Sequence, residues 1–541
     1  MSQPSTDMAT SQNAQSCRLL QIPAEILDRI TWHLTTPELC NLRITCKSVE
    51  EALYYSFTTD FFTRKQFMIS EFSLRALVDI SKSRLAGHLR HVHFGLDQLA
   101  IHITPSMGGD KARMFAQRLI EQETLWSLGL VPKYLTEAFG NLPNLETVVV
   151  RDFNSNRRSR DGPHAHWLSY GTQTLLKETS VRPTNHAIFG RGSMAYGFVD
   201  QMFKGIIHAL GTANARPTAI EVMERQGHPL FDSAFHMHPD FEASIIPVLR
   251  GLKRLHLTLE PNSSTINNDD QPYQRHNLTK FLRCCDGLEE LRINGTHNTN
   301  SYDTRNSLRN LYDWLTAEES TSETETQKEA KAPSLNGQTS DLSQLNAPIK
   351  FPRLQNISLG MTSFTVDELV RLIARFADTV QNLELWRIKL LSEDRSLDKS
   401  QVLENRNILF AQVLKKLLNI PNLNLRHIKL GNMQQIWYPV VVGHHMLEEV
   451  NFKPTAKTKD EDVDAGIERV TRELQYTGTD WRHFVAHEMI PRLYTPRLKN
   501  EEESQDEDDE DEEDEDNDDG DDNDDDDDND DDADNMDQDE E

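Results

Sequence analysis

Cysteine is scarce in this chain. There are five, at positions 17, 40, 46, 284 and 285, and no two stand as C-x-x-C. So few exclude a disulfide framework and suit a reducing compartment. No run of 18 apolar residues exists, so no transmembrane helix is expected. The opening MSQPSTDMATSQNAQS lacks the apolar centre of a signal peptide. Apolar residues make up only 37% of the chain, which is low for a wholly globular protein and predicts disordered portions.

Positive charge is missing from one place. Residues 501–541 hold 31 Asp or Glu and no Lys or Arg. The remainder carries 56 acids against 57 Lys plus Arg, so the net charge of −30 belongs to the tail and the body is near neutral. A tail of that composition repels itself and has too little apolar content to fold. The body has no basic stripe, so direct nucleic-acid binding is not expected. Arg157-Arg158-Ser159-Arg160 is its one short basic cluster. It reads as a solvated loop, with a weak nuclear address as the other reading.

Signatures of catalysis are absent as well. The histidine pairs at 91/93, 164/166, 236/238 and 444/445 have no nearby Cys or acid at a four-ligand spacing. On a strand, His91 and His93 would share a solvated face opposite Val92 and Phe94. Gly190, Gly192 and Gly197 have the wrong spacing for a phosphate-binding turn and lack the Lys-Ser/Thr ending. No G-x-S-x-G elbow occurs. Cys284-Cys285 closes an apparent helix, Leu278 to Cys285, and reads as a pair of small buried residues. No metal, cofactor or catalytic residue is expected.

What is present begins at residue 20: LQIPAEILDRITWHLTTPELCNLRITCKSVEEALYYS. Pro23 suits a helix start, and Glu25 suits the positive first turn. Ile26, Ile30 and Leu34 recur every four residues, with Leu27 beside them. Thr36-Pro37-Glu38 predicts a new helix, with Thr36 as its N-cap. Leu42, Cys46, Val49 and Leu53 form a second apolar stripe. About 40 residues cannot bury enough surface to fold well alone. Two stripes on so short a segment therefore imply that one meets a partner.

The order Ile22-Pro23-x-Glu25-Ile26, Ile30, Leu34, Glu38-Leu39, Leu42-Arg43 and Cys46-Lys47 closely resembles the F-box, with Ile22 in place of the family's leucine. The resemblance covers about 35 residues of 541, and the following helix-then-strand passage extends a likeness to fungal F-box proteins to roughly residue 96. It implies a three-helix F-box over 18–58 that docks onto a Skp-type adaptor and, through it, onto the cullin and RING subunits of an SCF-type ubiquitin ligase. The adaptor-facing residues so implied are Ile22, Pro23, Ile26, Ile30, Leu39, Leu42 and Val49.

Beyond the box, Phe61, Phe62, Phe67 and Phe72 read as an apolar bridge. Ser73 to Ser83 reads as a helix with Leu74, Leu77 and Ile80 inward. A unit Leu-x-x-apolar-x-apolar then recurs, starting at Leu89, Leu145, Leu252, Leu288, Leu354, Leu383, Leu425 and Leu447. Each would be a short strand of a leucine-rich repeat, with helices between, such as Asp367 to Phe376 and Asn405 to Leu418. The steps between these leucines run from 22 to 107 residues, so an irregular solenoid is expected.

The expected fold is therefore mixed α/β. It comprises a disordered lead-in at 1–17, the F-box at 18–58 and an irregular leucine-rich-repeat-like domain at 59–498. Loops or disordered insertions are expected near 154–195, 261–276 and 317–349, and a disordered acidic tail at 499–541. The resemblance implies a non-catalytic substrate receptor of the nucleus or cytoplasm. The tail keeps a second reading open, an acidic chaperone or scaffold for basic proteins.

Overall fold

The computed structural model describes residues 22–99, 109–154, 159–162, 168–183, 195–225, 229–260, 276–295, 308–316, 349, 351–392, 408–437, 446–454 and 470–495. The lead-in, nearly all of the 261–276 and 317–349 segments, and the acidic tail lie outside the described residues. The fold is mixed α/β and divides into two units. One is Met1–Thr258 with Lys280–Gly287, and the other is Leu259–Thr279 with Leu288–Glu541.

The first unit starts with four short helices: α1 (Ala24–Trp32), α2 (Thr36–Arg43), α3 (Lys47–Ala52) and α4 (Tyr54–Phe62). Three had been expected, and the fourth carries the bundle past residue 58. Five parallel strands follow in chain order: β1 (Arg64–Met68), β2 (His91–Gly95), β3 (Thr147–Arg151), β4 (Ala219–Met223) and β5 (Arg254–Thr258). The helices α5 (Glu71–Ser81), α6 (Asp110–Ser127), α7 (Leu130–Gly140), α8 (Thr172–Thr179), α9 (Ala195–Ala213) and α10 (Pro239–Gly251) connect them. Helices α5, α7, α9 and α10 pack side by side.

The strands share one register. Val92, Val148, Ile220 and Leu255 stand in one row, while Phe94 and Val150 stand in the next row beside Val222. All are buried, and Phe94 meets Phe139 of α7 edge-on at 6.4 Å. The leucine two residues before β2, β3 and β5 is buried too, at Leu89, Leu145 and Leu252. Each repeated unit thus places three apolar side chains under the helices, and period-2 alternation sends its other residues to the opposite face. Further along, Phe203, Phe235 and Phe281 form a triad with ring centroids 5.2–5.8 Å apart.

The second unit repeats the device with a corner added. Strands β6 (Glu290–Asn294), β7 (Asn356–Gly360), β9 (Asn382–Trp386) and β11 (His427–Gly431) are parallel, and β14 (Glu473–Thr477) closes that sheet antiparallel. A second sheet runs β15 (Leu493–Tyr494), β13 (Met446–Phe452), β12 (Met433–Trp437), β10 (Lys389–Leu391), β8 (Ser363–Thr365). Met361, Arg387 and Asn432 each follow a first-sheet strand with φ of 51°, 52° and 49°. One left-handed residue therefore turns the chain from β7 to β8, from β9 to β10, and from β11 to β12. Helices Arg309–Thr316, Val366–Arg375 and Leu409–Leu418 lie in a row beside these strands.

Several expectations need correction. The unit placed at Leu383-Trp386-Ile388 is out of register by three: Val380, Leu383 and Leu385 occupy the buried row. Trp386 is the last residue of β9, and Ile388 lies past the corner at Arg387. Leu447 begins no parallel repeat. It lies on β13, pairs antiparallel with β12, and is 45% exposed. The 154–195 segment, read as a loop, contains a 3₁₀ turn at Ser159–Asp161 and helix α8. Phe72, read as part of an apolar bridge, is 48% exposed and stacks on Tyr170 at 5.4 Å. The helix expected through Cys285 ends at Arg283. Cys285 is buried and Cys284 partly so, and burial raises both thiols out of the reactive range.

Candidate interaction surfaces

The N-terminal bundle builds its core from Leu27, Leu39, Val49, Leu53 and Phe61. Ile22, Leu34, Leu42, Phe57 and Phe62 pack against that core from its edge. Ile26 and Ile30 point elsewhere, at 45% and 39% exposed, and Pro23 is exposed in front of them. The seven residues implied by the F-box resemblance therefore separate. Leu39 and Val49 are interior, Ile22 and Leu42 are half-buried, and Pro23, Ile26 and Ile30 face solvent. The helical period explains the split of α1. Leu27 is turned inward, while Ile26 and Ile30, one turn apart, share another face.

Helix α2 is capped one residue earlier than expected. Thr35 is the N-cap, and the Glu38 carboxylate accepts from the Thr35 N–H at 2.9 Å and from its hydroxyl at 2.9 Å. Those two bonds lower the Glu38 pKa, the backbone bond most. Thr36 is thereby free of capping duty. Its N–H donates to Asp161 Oδ1 at 2.6 Å and its hydroxyl to Asp161 Oδ2 at 2.5 Å. Beside it, the Arg160 guanidinium donates to Asp60 at 3.0 Å and to the Thr31 carbonyl at 3.3 Å, and lies 5.7 Å from the Phe61 ring centre. Residues 159–161 thus strap the bundle to the remainder of its unit. The sequence offered only a basic cluster here, and nothing local marked its partners.

A second polar constellation lies at the C-terminal end of β1–β4. Arg151 Nε and Nη2 donate to Gln66 Oε1 at 2.9 and 2.6 Å. Gln66 Nε2 donates to Ser169 Oγ at 2.9 Å, and Ser169 donates onward to Asp97 at 3.0 Å. Asp152 accepts the Arg225 N–H with both oxygens, at 2.9 and 3.0 Å. Gln66, Arg151, Asp152 and Ser169 are all buried. Burial raises the Asp97 pKa, opposed by Ser169 and Arg182. His93, in the same register row as Gln66, is held well below the usual histidine range by desolvation, with Arg151, His91 and Arg64 adding to it. It is therefore not on the fully solvated face that alternation alone suggested. This network is satisfied internally, which suits a rigid scaffold.

In the second unit the corresponding row is charged. Arg292, Ser358, Glu384 and Lys429 stand side by side across β6, β7, β9 and β11. Arg292 donates to Ser358 at 3.0 Å and to Glu384 at 3.0 Å. Among the described residues no cluster of His, Cys, Asp or Glu is arranged to hold a metal, and no helix is long and apolar enough to cross a membrane.

A scan against protein-family models and a search of curated proteins each return no match. Among solved structures, the leucine-rich repeat-containing protein LegL7 from Legionella pneumophila aligns over 68% of this chain and 90% of its own, at 11% identity and a TM-score of 0.23. A chain from the Rad7 and Elc1 complex in yeast aligns over 75% and 87%, at 9% identity and a TM-score of 0.21. Scores at that level carry no argument about this chain, and the reading below rests on its own residues.

Proposed function

We propose that this chain is the substrate-recognition subunit of an SCF-type cullin–RING ubiquitin ligase, with an F-box at its N-terminus and irregular leucine-rich repeats behind it. The observation that carries the reading is on α1. The bundle closes its own core with Leu27, Leu39, Val49, Leu53 and Phe61 and still leaves Ile26 and Ile30 outside. Those two belong to the stretch whose spacing resembles an F-box. Burying an aliphatic side chain fully is worth about 1.5–3 kcal/mol, so a Skp-type adaptor covering them would gain useful affinity. The α/β units behind would hold a protein client near the charged E2. The chain then contributes proximity and has no active site of its own.

Capture of purified Skp-type adaptor tests this reading. An Ile26→Ser/Ile30→Ser double variant should lose capture while keeping wild-type stability. Undiminished capture refutes the adaptor assignment.

The tail supports a second reading, a chaperone or scaffold for basic proteins, because 31 carboxylates lie within its last 41 residues. Removing 501–541 should abolish client binding if that reading holds, and should leave adaptor capture intact if the first one does. Such attraction fades with added salt.

A further inference from the structure

The first unit contains a cavity that neither the bundle nor the polar network uses. It lies among α5, α6 and α8 and measures about 60 Å³. Its floor is apolar: Met68, Leu99, Leu125 and Leu175 are each at least nine-tenths buried. Gly171 lies beside Met68 with φ of 105°, and a Cβ there would come within 3.0 Å of the Met68 side chain. Its lack of a side chain keeps that wall open.

The rim has the opposite character. Glu71, Glu121 and Glu178 line it, with Arg118 as its one cation. Arg118 is committed to two of these acids, donating to Glu178 at 2.7 Å and to Glu121 at 2.6 Å. Glu71 is in turn ion-paired with Arg75 of its own helix, so three carboxylates against two guanidiniums leave the mouth with one net negative charge. Phe72 adds an aromatic wall beside it.

We infer that this cavity is a subsite for a lysine side chain presented by a partner polypeptide. Size, floor and rim agree. One water needs about 10–15 Å³ of such space, so the cavity takes about four to six atoms of that size. The stem and ammonium of a lysine comprise four carbons and one nitrogen. An arginine is too large, and an aliphatic side chain leaves the one net negative charge of the mouth unbalanced. The stem lies on the apolar floor while the ammonium stays at the wet rim, as long cationic side chains prefer. The Phe72 ring adds a cation–π contact. As a statement about the client of a ligase receptor, the inference rests on the reading proposed above, but the site itself does not need it.

The test uses full-length protein with ¹³C-methyl-labelled methionine, the Met68 resonance being assigned by Met68→Leu. The probe is a capped Gly-Lys-Gly peptide, with its Nε-acetyl form as the neutral control. The Met68 methyl should shift saturably with the lysine peptide at millimolar concentration. The acetylated peptide, and the lysine peptide against Glu178→Gln or Glu121→Gln, should bind about threefold more weakly, as a partly exposed ion pair allows. Unchanged positions of the other methionine resonances show that each variant is folded. A stationary Met68 resonance, or equal binding of both peptides, overturns the inference. Adaptor capture by the same preparation reports on the ligase reading separately. Capture without peptide binding removes the lysine site alone, and peptide binding without capture removes the ligase reading alone.

Discussion

Asp161 binds Thr36 through both of its oxygens, across 125 residues of chain. One carboxylate answers the first-turn N–H of α2 and the neighbouring hydroxyl together. It also suits the positive end of that helix. The orientation of the N-terminal bundle within its unit therefore depends on a three-residue turn far away in sequence.

Asp161→Ala should loosen the bundle by about 1.5–3 kcal/mol, the scale of hydrogen bonds to a charged acceptor. Thr36→Val keeps the backbone bond and should cost less. Hydrogen exchange reads the effect locally. Amides of 24–62 should exchange faster while those of β3 and β4 hold. Equal acceleration throughout would contradict a local strap.

Surface and core residues of the bundle should separate under mutation. Leu39→Ala empties a packed site and should cost about 2–5 kcal/mol. Ile26→Ser and Ile30→Ser, on the exposed face, should each stay within about 0.5 kcal/mol of wild type. Denaturant unfolding measures both. Similar losses at Leu39 and Ile26 would mean that α1 sits differently.

Gln66→Leu removes the oxygen that accepts two bonds from Arg151 inside the first sheet. A buried guanidinium deprived of that acceptor should cost at least about 1–3 kcal/mol, because the group is charged. Thermal unfolding should show a lower midpoint, and a midpoint equal to wild type would refute the network's role.

His93 should impose a pH dependence. Its folded pKa lies below the usual value, so its contribution is complete above about pH 6.5, where the unfolded histidine is neutral. That contribution is lost as pH falls toward the folded pKa, because only the unfolded chain takes up the proton. The slope cannot exceed about 1.4 kcal/mol per pH unit for one proton. Between about pH 7 and pH 5.5, wild type should therefore lose more stability than His93→Gln. Asp97, raised by burial, acts in the opposite sense at lower pH. Parallel pH profiles for the two proteins would refute the assignment to His93.

Much of the strand framework was readable because it repeats one local rule. Leu89, Leu145, Leu252, Leu288, Leu354 and Leu425 each stand two residues before a strand, and the apolar positions that follow are its buried row. Burial beneath helices selects those residue types wherever the unit recurs. Strand β4 escaped because Pro217 occupies the leucine position ahead of Ile220 and Val222. The corners escaped because Met361, Arg387 and Asn432 share a backbone angle and no chemistry.

The sequence by itself determined the alternation of helix and parallel strand and the apolar stripes of the N-terminal helices, since both follow from periodicity along the chain. It could not say which stripe of α1 faces inward, because Ile26, Leu27 and Ile30 are equally apolar. Only the packing of Leu27 with Leu39, Val49 and Phe61 decided that. Tertiary structure alone also joined Thr36 to Asp161 and drew Met68, Leu99, Leu125 and Leu175 around one cavity. Contacts between distant segments depend on where the whole fold carries them, and no local pattern records it.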